Sequence, residues 1–106
     1  MSSRDEASIY AMAIEESMEE LHIYEGRQFK AFFGYSPAHT ARLLQETGLK
    51  TRVLLMTLYF LKSYPREDVA AQLFQASRVH YRSGVRDGLA ALVALKDRVV
   101  CRNAGL

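Results

Sequence analysis

Cysteine, proline and glycine are scarce in this chain and tryptophan is missing altogether. The one cysteine, Cys101, has no partner for an intramolecular disulfide, which excludes a disulfide-stapled secreted scaffold and points to a reducing compartment. Two prolines and six glycines exclude a low-complexity or collagen-like chain, and make each of them a point of punctuation. Long hydrophobic runs are lacking as well. The longest, Val53 to Leu61, is interrupted by Thr57 and falls short of the roughly 18 apolar residues that span a bilayer. The N-terminus has no basic-then-apolar order of a signal peptide. The expectation is a soluble protein without a membrane partner, intracellular, nuclear if the source is eukaryotic and cytoplasmic otherwise.

Chemistry-bearing motifs are also thin. His22, His39 and His80 are scattered and show no His/Cys spacing suited to zinc. Neither a glycine-rich phosphate loop nor a Gly-x-Ser-x-Gly elbow occurs. The pairs Glu15-Glu16 and Glu19-Glu20 stand at i,i+4 spacing, where like charges repel, and so read as a solvent- or partner-facing surface rather than an acid/base dyad. No catalytic residue, metal ligand or cofactor is expected, and the chain is not read as an enzyme.

What is present is an ordinary globular composition, 106 residues with 49% hydrophobic and 25% charged, sufficient for a single domain over residues 1–106. The net charge of +2 conceals an asymmetry. Residues 1–25 carry a balance of −6 and residues 26–106 a balance of +8. An acidic leading helix and a basic body imply two different surfaces.

The pattern is helical throughout. Ser3 with Glu6 resembles a capping box, and Tyr10, Ile14, Met18 and Leu21 recur at helical spacing over an acidic first helix within 1–25. Gly26 is the expected break before a helix holding Phe29, Phe32 and Phe33. Ser36-Pro37 is a capping hydroxyl followed by proline at the first helical position, opening a helix that should end at Thr47 before Gly48. From Thr51 to Tyr64 runs an almost wholly apolar helix, closed by Pro65, which should be the central strut. Since no stretch alternates with period two, the fold class is all-α, a bundle of five or six helices.

The functional signal lies in 66–95. A helix-turn-helix needs small residues where two helices cross, a short turn, and a second helix with one apolar and one polar face. Ala70 and Ala71 supply the first, Gln75-Ala76 the turn, and Ser77 the cap of a helix reaching at least Leu95. Tyr81, Val85, Leu89 and Leu92 fall on one face of it, and Arg78, Arg82 and Arg86 make a second stripe at i,i+4 steps. Arginines at the start of that helix suit duplex DNA, because guanidinium forks onto guanine or binds phosphate and stays charged. Base reading is expected from Ser77, Arg78, His80 and Arg82, with Val79 and Ser83 also free to face base edges. Phosphate anchoring is expected from Arg86, Arg66, Arg52 and Lys62. Gly84 and Gly88 within this helix mark either close packing or a bend.

The runs Phe29-Lys-Ala-Phe-Phe-Gly-Tyr-Ser-Pro, Leu54-Leu-Met-Thr-Leu-Tyr-Phe-Leu and Val69-Ala-Ala-Gln-Leu-Phe-Gln-Ala-Ser-Arg78 together resemble the N-terminal helix-turn-helix region of DDE transposases of the Harbinger/IS5-like group. The resemblance implies binding to transposon ends, or to a derived genomic site, through a recognition helix whose Ser-Arg start is matched by Ser77, Arg78 and Arg82. Gln75-Ala76 stand where that family has Gly-Val, and Val79-His80 where it has a small pair. The family's RNase H-like catalytic domain has no counterpart in these residues, as expected either of a domain cut from a transposase or of a domesticated derivative. The alternative to double-stranded DNA as partner is another protein. The acidic helix and apolar surface would then mediate a homodimer or bind a transposase or regulator, and deletion of residues 1–25 would separate the two roles.

Overall fold

The computed structural model describes the backbone of residues 3–104 and the side chains of residues 8–96. Six helices follow one another, with no strand among the described residues: α1 Ser3–Glu20, α2 Gly26–Phe33, α3 Pro37–Thr47, α4 Thr51–Ser63, α5 Glu67–Leu73 and α6 Arg78–Ala104. The expected all-α class is what the structure has. None of these helices is long and apolar enough to cross a membrane.

Local chemistry sets most of the boundaries. At α3, His39 N–H donates to Ser36 Oγ at 3.2 Å and Pro37 opens the helix. Gly48 closes it at φ 69°, a left-handed conformation that costs glycine nothing. Tyr64 ends α4 at φ 46° and donates its N–H to the Phe60 carbonyl. The following Pro65 would disfavour any further helical turn. The first helix departs from expectation. It stops at Glu20, not near residue 25, because His22 turns left-handed at φ 58°. His22 and Ile23 then return their N–H groups to the Glu19 and Met18 carbonyls, and Ile23 is carried into the core. Gly26 is therefore the first residue of α2 and not the break itself. The Ser3–Glu6 capping box falls on side chains outside the described residues.

One cluster of buried side chains joins all six helices. Its centre is α4, where Leu54, Leu55, Met56, Thr57 and Leu58 are buried in succession. A run buried on every side fits a helix packed against α1, α2 and α6 at once. Its last turn is different: Leu61, expected inside, is 44% exposed. Phe29 and Phe33 pack as a tilted pair with ring centroids 4.7 Å apart on the α2 side, and Tyr59 meets Phe33 and Phe74 edge-on.

α1 packs chiefly on α3 and α4. Ile14 is 1% and Ile23 3% exposed, while Glu15, Glu16, Glu19 and Glu20 face solvent. Removing residues 1–25 would therefore empty part of the core. Deletion, the experiment the sequence suggested, cannot isolate the acidic face.

Candidate nucleic-acid interface

The α5–α6 pair is built on close approach. Ala70 and Ala71 are buried at 0% and 3%, small enough for α6 to lie against α5. After Leu73 the chain reverses in a double-bonded turn. Gln75 N–H donates to the Gln72 carbonyl at 3.1 Å and Ala76 N–H to the Ala71 carbonyl at 2.8 Å. The second bond requires a left-handed residue just before Ala76, and Gln75 takes that place at φ 53°. Glutamine thus occupies the conformation for which glycine is the usual choice. Two residues later Ser77 Oγ accepts the His80 N–H at 3.0 Å, capping α6 as the sequence implied.

Beyond that cap α6 runs without interruption through both glycines. Of the two expected readings, close packing is the correct one. A Cβ on Gly84 would meet Met56 Sδ at 3.3 Å, and one on Gly88 would overlap Thr57. Tyr81 and Val85 are buried on the same side as these glycines, with Leu89 and Leu92 half-buried further along. Packing that side of the helix leaves the other in solvent. Arg78, Arg82 and Arg86 are all exposed there, as are Ser77, Val79, His80 and Ser83, and Val79 is 75% exposed.

The arginines differ in their surroundings. Arg82 reaches back to the first turn of α5, donating Nε–H to Glu67 Oε1 at 3.0 Å and Nη2–H to Glu67 Oε2 at 3.1 Å. Arg66, the N-cap residue of α5, pairs with Asp68 at 3.4 Å. Arg78 and Arg86 form no ion pair among the described residues. Glu67 was not singled out from the sequence. Its only signal there is an acid in the first turn of the first helix, 15 residues before the arginine it holds.

Two expected phosphate anchors lie elsewhere. Arg52, on the first turn of α4, donates from Nη2 to the Phe74 carbonyl, the C-cap of α5. It braces the turn between α5 and α6 while its side chain stays exposed. The reason is physical: the carbonyls at a helix end lack partners within the helix, and a cation satisfies one of them. Lys62 sits beside Gly34, at the end of α2, and so belongs to the α2–α4 side of the molecule. Around Arg52 a cleft is lined by Ser17, Glu20, Leu55, Leu73 and Gln75.

Tyr81 is the one orphan in this region. Its hydroxyl is buried with no hydrogen-bond partner among the described residues. Burial pushes its pKa above the usual 10.0, and the neighbouring Tyr59 and Glu67 push in the same direction. No group of three His, Cys, Asp or Glu side chains that could hold a metal occurs among the described residues. Comparison of the chain with protein families, with curated proteins and with solved structures gives no match, so the reading of this face rests on its own geometry.

Proposed function

We propose that the exposed face at the start of α6 binds double-stranded DNA as the second helix of a helix-turn-helix. The observation that carries this is the arginine stripe. Three exposed arginines recur at i,i+4 spacing on a helix whose adjoining side, with Tyr81 and Val85, is buried in the core, directly after a tight capped turn. Arginine on a rigid helix end is what major-groove readout requires, since the groove admits one helix and guanine offers two acceptors to a forked donor.

In this reading Arg82, with Ser77 and His80, faces base edges, while Arg78, expected there from the sequence, holds no ion pair among the described residues and takes a phosphate. The exposed Val79 offers an apolar contact to a thymine methyl. Arg86 and Arg66, the latter held only by long 3.4 Å contacts to Asp68, set register on phosphates together with Arg78. The resemblance to Harbinger/IS5-like transposases then suggests transposon ends or a derived site as target, in the nucleus or cytoplasm where duplex DNA lies. It gives the domain a binding role with no covalent chemistry.

The test is titration of the full chain on a selected and a random duplex at two salt concentrations. The logarithm of affinity should fall steeply with that of salt, by about 0.9 per phosphate contact. Arg78→Ala should weaken binding to both duplexes and flatten that slope. Unchanged binding by Arg78→Ala would remove the assignment.

A second reading is favoured by one observation. Ile9 and Met12 are 56% and 57% exposed on α1, on the same helix as the four solvent-facing glutamates. An apolar and acidic helix face suits a protein partner or a second copy of the chain. Sedimentation of the wild type against Ile9→Ser/Met12→Ser, which leaves the core intact, would reveal it as a loss of association.

A further inference from the structure

We propose that Arg82 is a guanine-reading side chain aimed by Glu67, and that Glu67 at the same time keeps it from serving as a phosphate anchor. This rests on the duplex-binding reading above and assigns its base specificity. The two bonds to Glu67 use the Nε–H and one Nη2–H of the guanidinium. They leave the outer edge, Nη1 and the remaining Nη2 hydrogen, without a partner among the described residues. That edge presents two parallel donors, the arrangement that matches O6 and N7 of guanine. The pair is open to solvent, with the Arg82 side chain 62% and the Glu67 side chain 42% exposed, so a ligand can reach the free edge.

Glu67 belongs to α5 and Arg82 to α6, so the fold itself sets the plane of the fork. An isolated surface arginine must lose its rotamer freedom when it binds, whereas one already held by a bidentate carboxylate loses less. Charge argues the same way. A guanidinium neutralised by a fixed carboxylate gains little from a phosphate, and the carboxylate repels that phosphate outright. What Arg82 retains is directional hydrogen bonding. Arg78 and Arg86, without ion pairs among the described residues, keep their full charge for the backbone.

The consequence runs against the usual effect of losing an ion pair. Glu67→Gln should bind random duplex several-fold tighter, with a salt slope steeper by about 0.9, because Arg82 becomes free to take a phosphate. Its preference at one G·C pair of the selected site should fall by roughly tenfold. Glu67→Asp, which keeps the charge and shortens the reach, should hold the wild-type slope and still lose preference. Arg82→Ala should lose that preference with the slope unchanged, whereas Arg78→Ala should flatten the slope. Replacing the guanine by 7-deazaguanine, which lacks the N7 acceptor, should penalise the wild type and not Arg82→Ala.

The experiment is that set of titrations on the full chain. If Glu67→Gln changes neither slope nor base preference, the pair merely tethers α5 to α6 and the inference fails while the duplex-binding reading stands. A slope flattened by Arg82→Ala as much as by Arg78→Ala would make Arg82 a phosphate anchor and overturn it equally. A wild type that binds no duplex at either salt concentration sinks both.

Discussion

Gly88 on α6 sits directly over Thr57 on α4. A methyl group on Gly88 would lie 1.8 Å from Thr57 Oγ1 and 2.8 Å from Thr57 Cβ. Thr57 is wholly buried and its hydroxyl donates to the Val53 carbonyl at 2.8 Å, so it is held in place from its own helix. The contact fixes how closely the long helix approaches the central one, and so where the arginine stripe projects.

Gly88→Ala should therefore destabilise the protein. Alanine gains about 1 kcal/mol in helix propensity. Against that, overpacking costs about 1–3 kcal/mol, and more where no rotamer change relieves it. Rotating the Thr57 hydroxyl away cannot help, because its Cβ is already too near. Gly84→Ala meets the Met56 sulfur at 3.3 Å and Val53 Cγ2 at an ordinary 3.8 Å, and since a thioether side chain adapts readily it should be neutral or slightly stabilising. Thermal melts of the two variants side by side are the check, and equal effects would contradict this account of the α4–α6 contact.

The sequence shows its short-range signals and hides its long-range ones. Helix α3 is legible to the residue, because Ser36, Pro37 and Gly48 act on the backbone within a turn of themselves. The end of α1 is not legible, since a histidine takes a left-handed conformation and only the burial of Ile23 gives the chain reason to turn there. Within the candidate site the stripe of Arg78, Arg82 and Arg86 follows from helical spacing alone. The partners of the arginines do not: Glu67 lies 15 residues from Arg82, and the Phe74 carbonyl 22 residues from Arg52. Both pairings exist only once the α5–α6 turn has formed.

That turn carries its own prediction. Gln75 adopts φ 53°, a conformation costing a residue with a side chain roughly 1–2 kcal/mol. Glycine relieves this cost but gives back about 0.4–1 kcal/mol through a freer unfolded chain. Gln75→Gly should thus raise stability by about 0.5–1 kcal/mol, and Gln75→Val, branched at Cβ, should lower it. Denaturant midpoints would show the ordering Gly above Gln above Val, and a reversed order would mean that the Gln75 side chain contributes more than its backbone costs.

Tyr81 supplies a pH dependence. Its hydroxyl is buried without a partner among the described residues, and its folded pKa is raised above 10.0 by burial, with Tyr59 and Glu67 adding to the shift. A raised value means that the folded state holds its proton longer than the unfolded chain does. The stability this contributes is complete below about pH 10 and drains away as pH climbs through the folded pKa. Tyr81→Phe removes an unsatisfied donor at little change of shape, so at neutral pH it should be neutral or stabilising. Melting curves at pH 7 and pH 10.5 should show a smaller alkaline loss for Tyr81→Phe than for the wild type.

Arg52 and Arg78 are both exposed arginines at the start of a helix, yet they should fail in opposite ways. Arg52 spends its guanidinium on the Phe74 carbonyl and braces the turn that aims α6. Losing a hydrogen bond of this kind costs about 1 kcal/mol, more where the donor is charged and less where water can replace it. Arg52→Ala should consequently lower the melting temperature by several degrees, while the salt slope of duplex binding stays at the wild-type value. Arg78 holds no such carbonyl, so Arg78→Ala should leave the melting temperature unchanged and flatten the slope. Measuring both quantities on both variants gives four results, and the prediction requires a crossed pattern. A flattened slope in Arg52→Ala, measured where that variant is fully folded, would return Arg52 to the phosphate-contacting set.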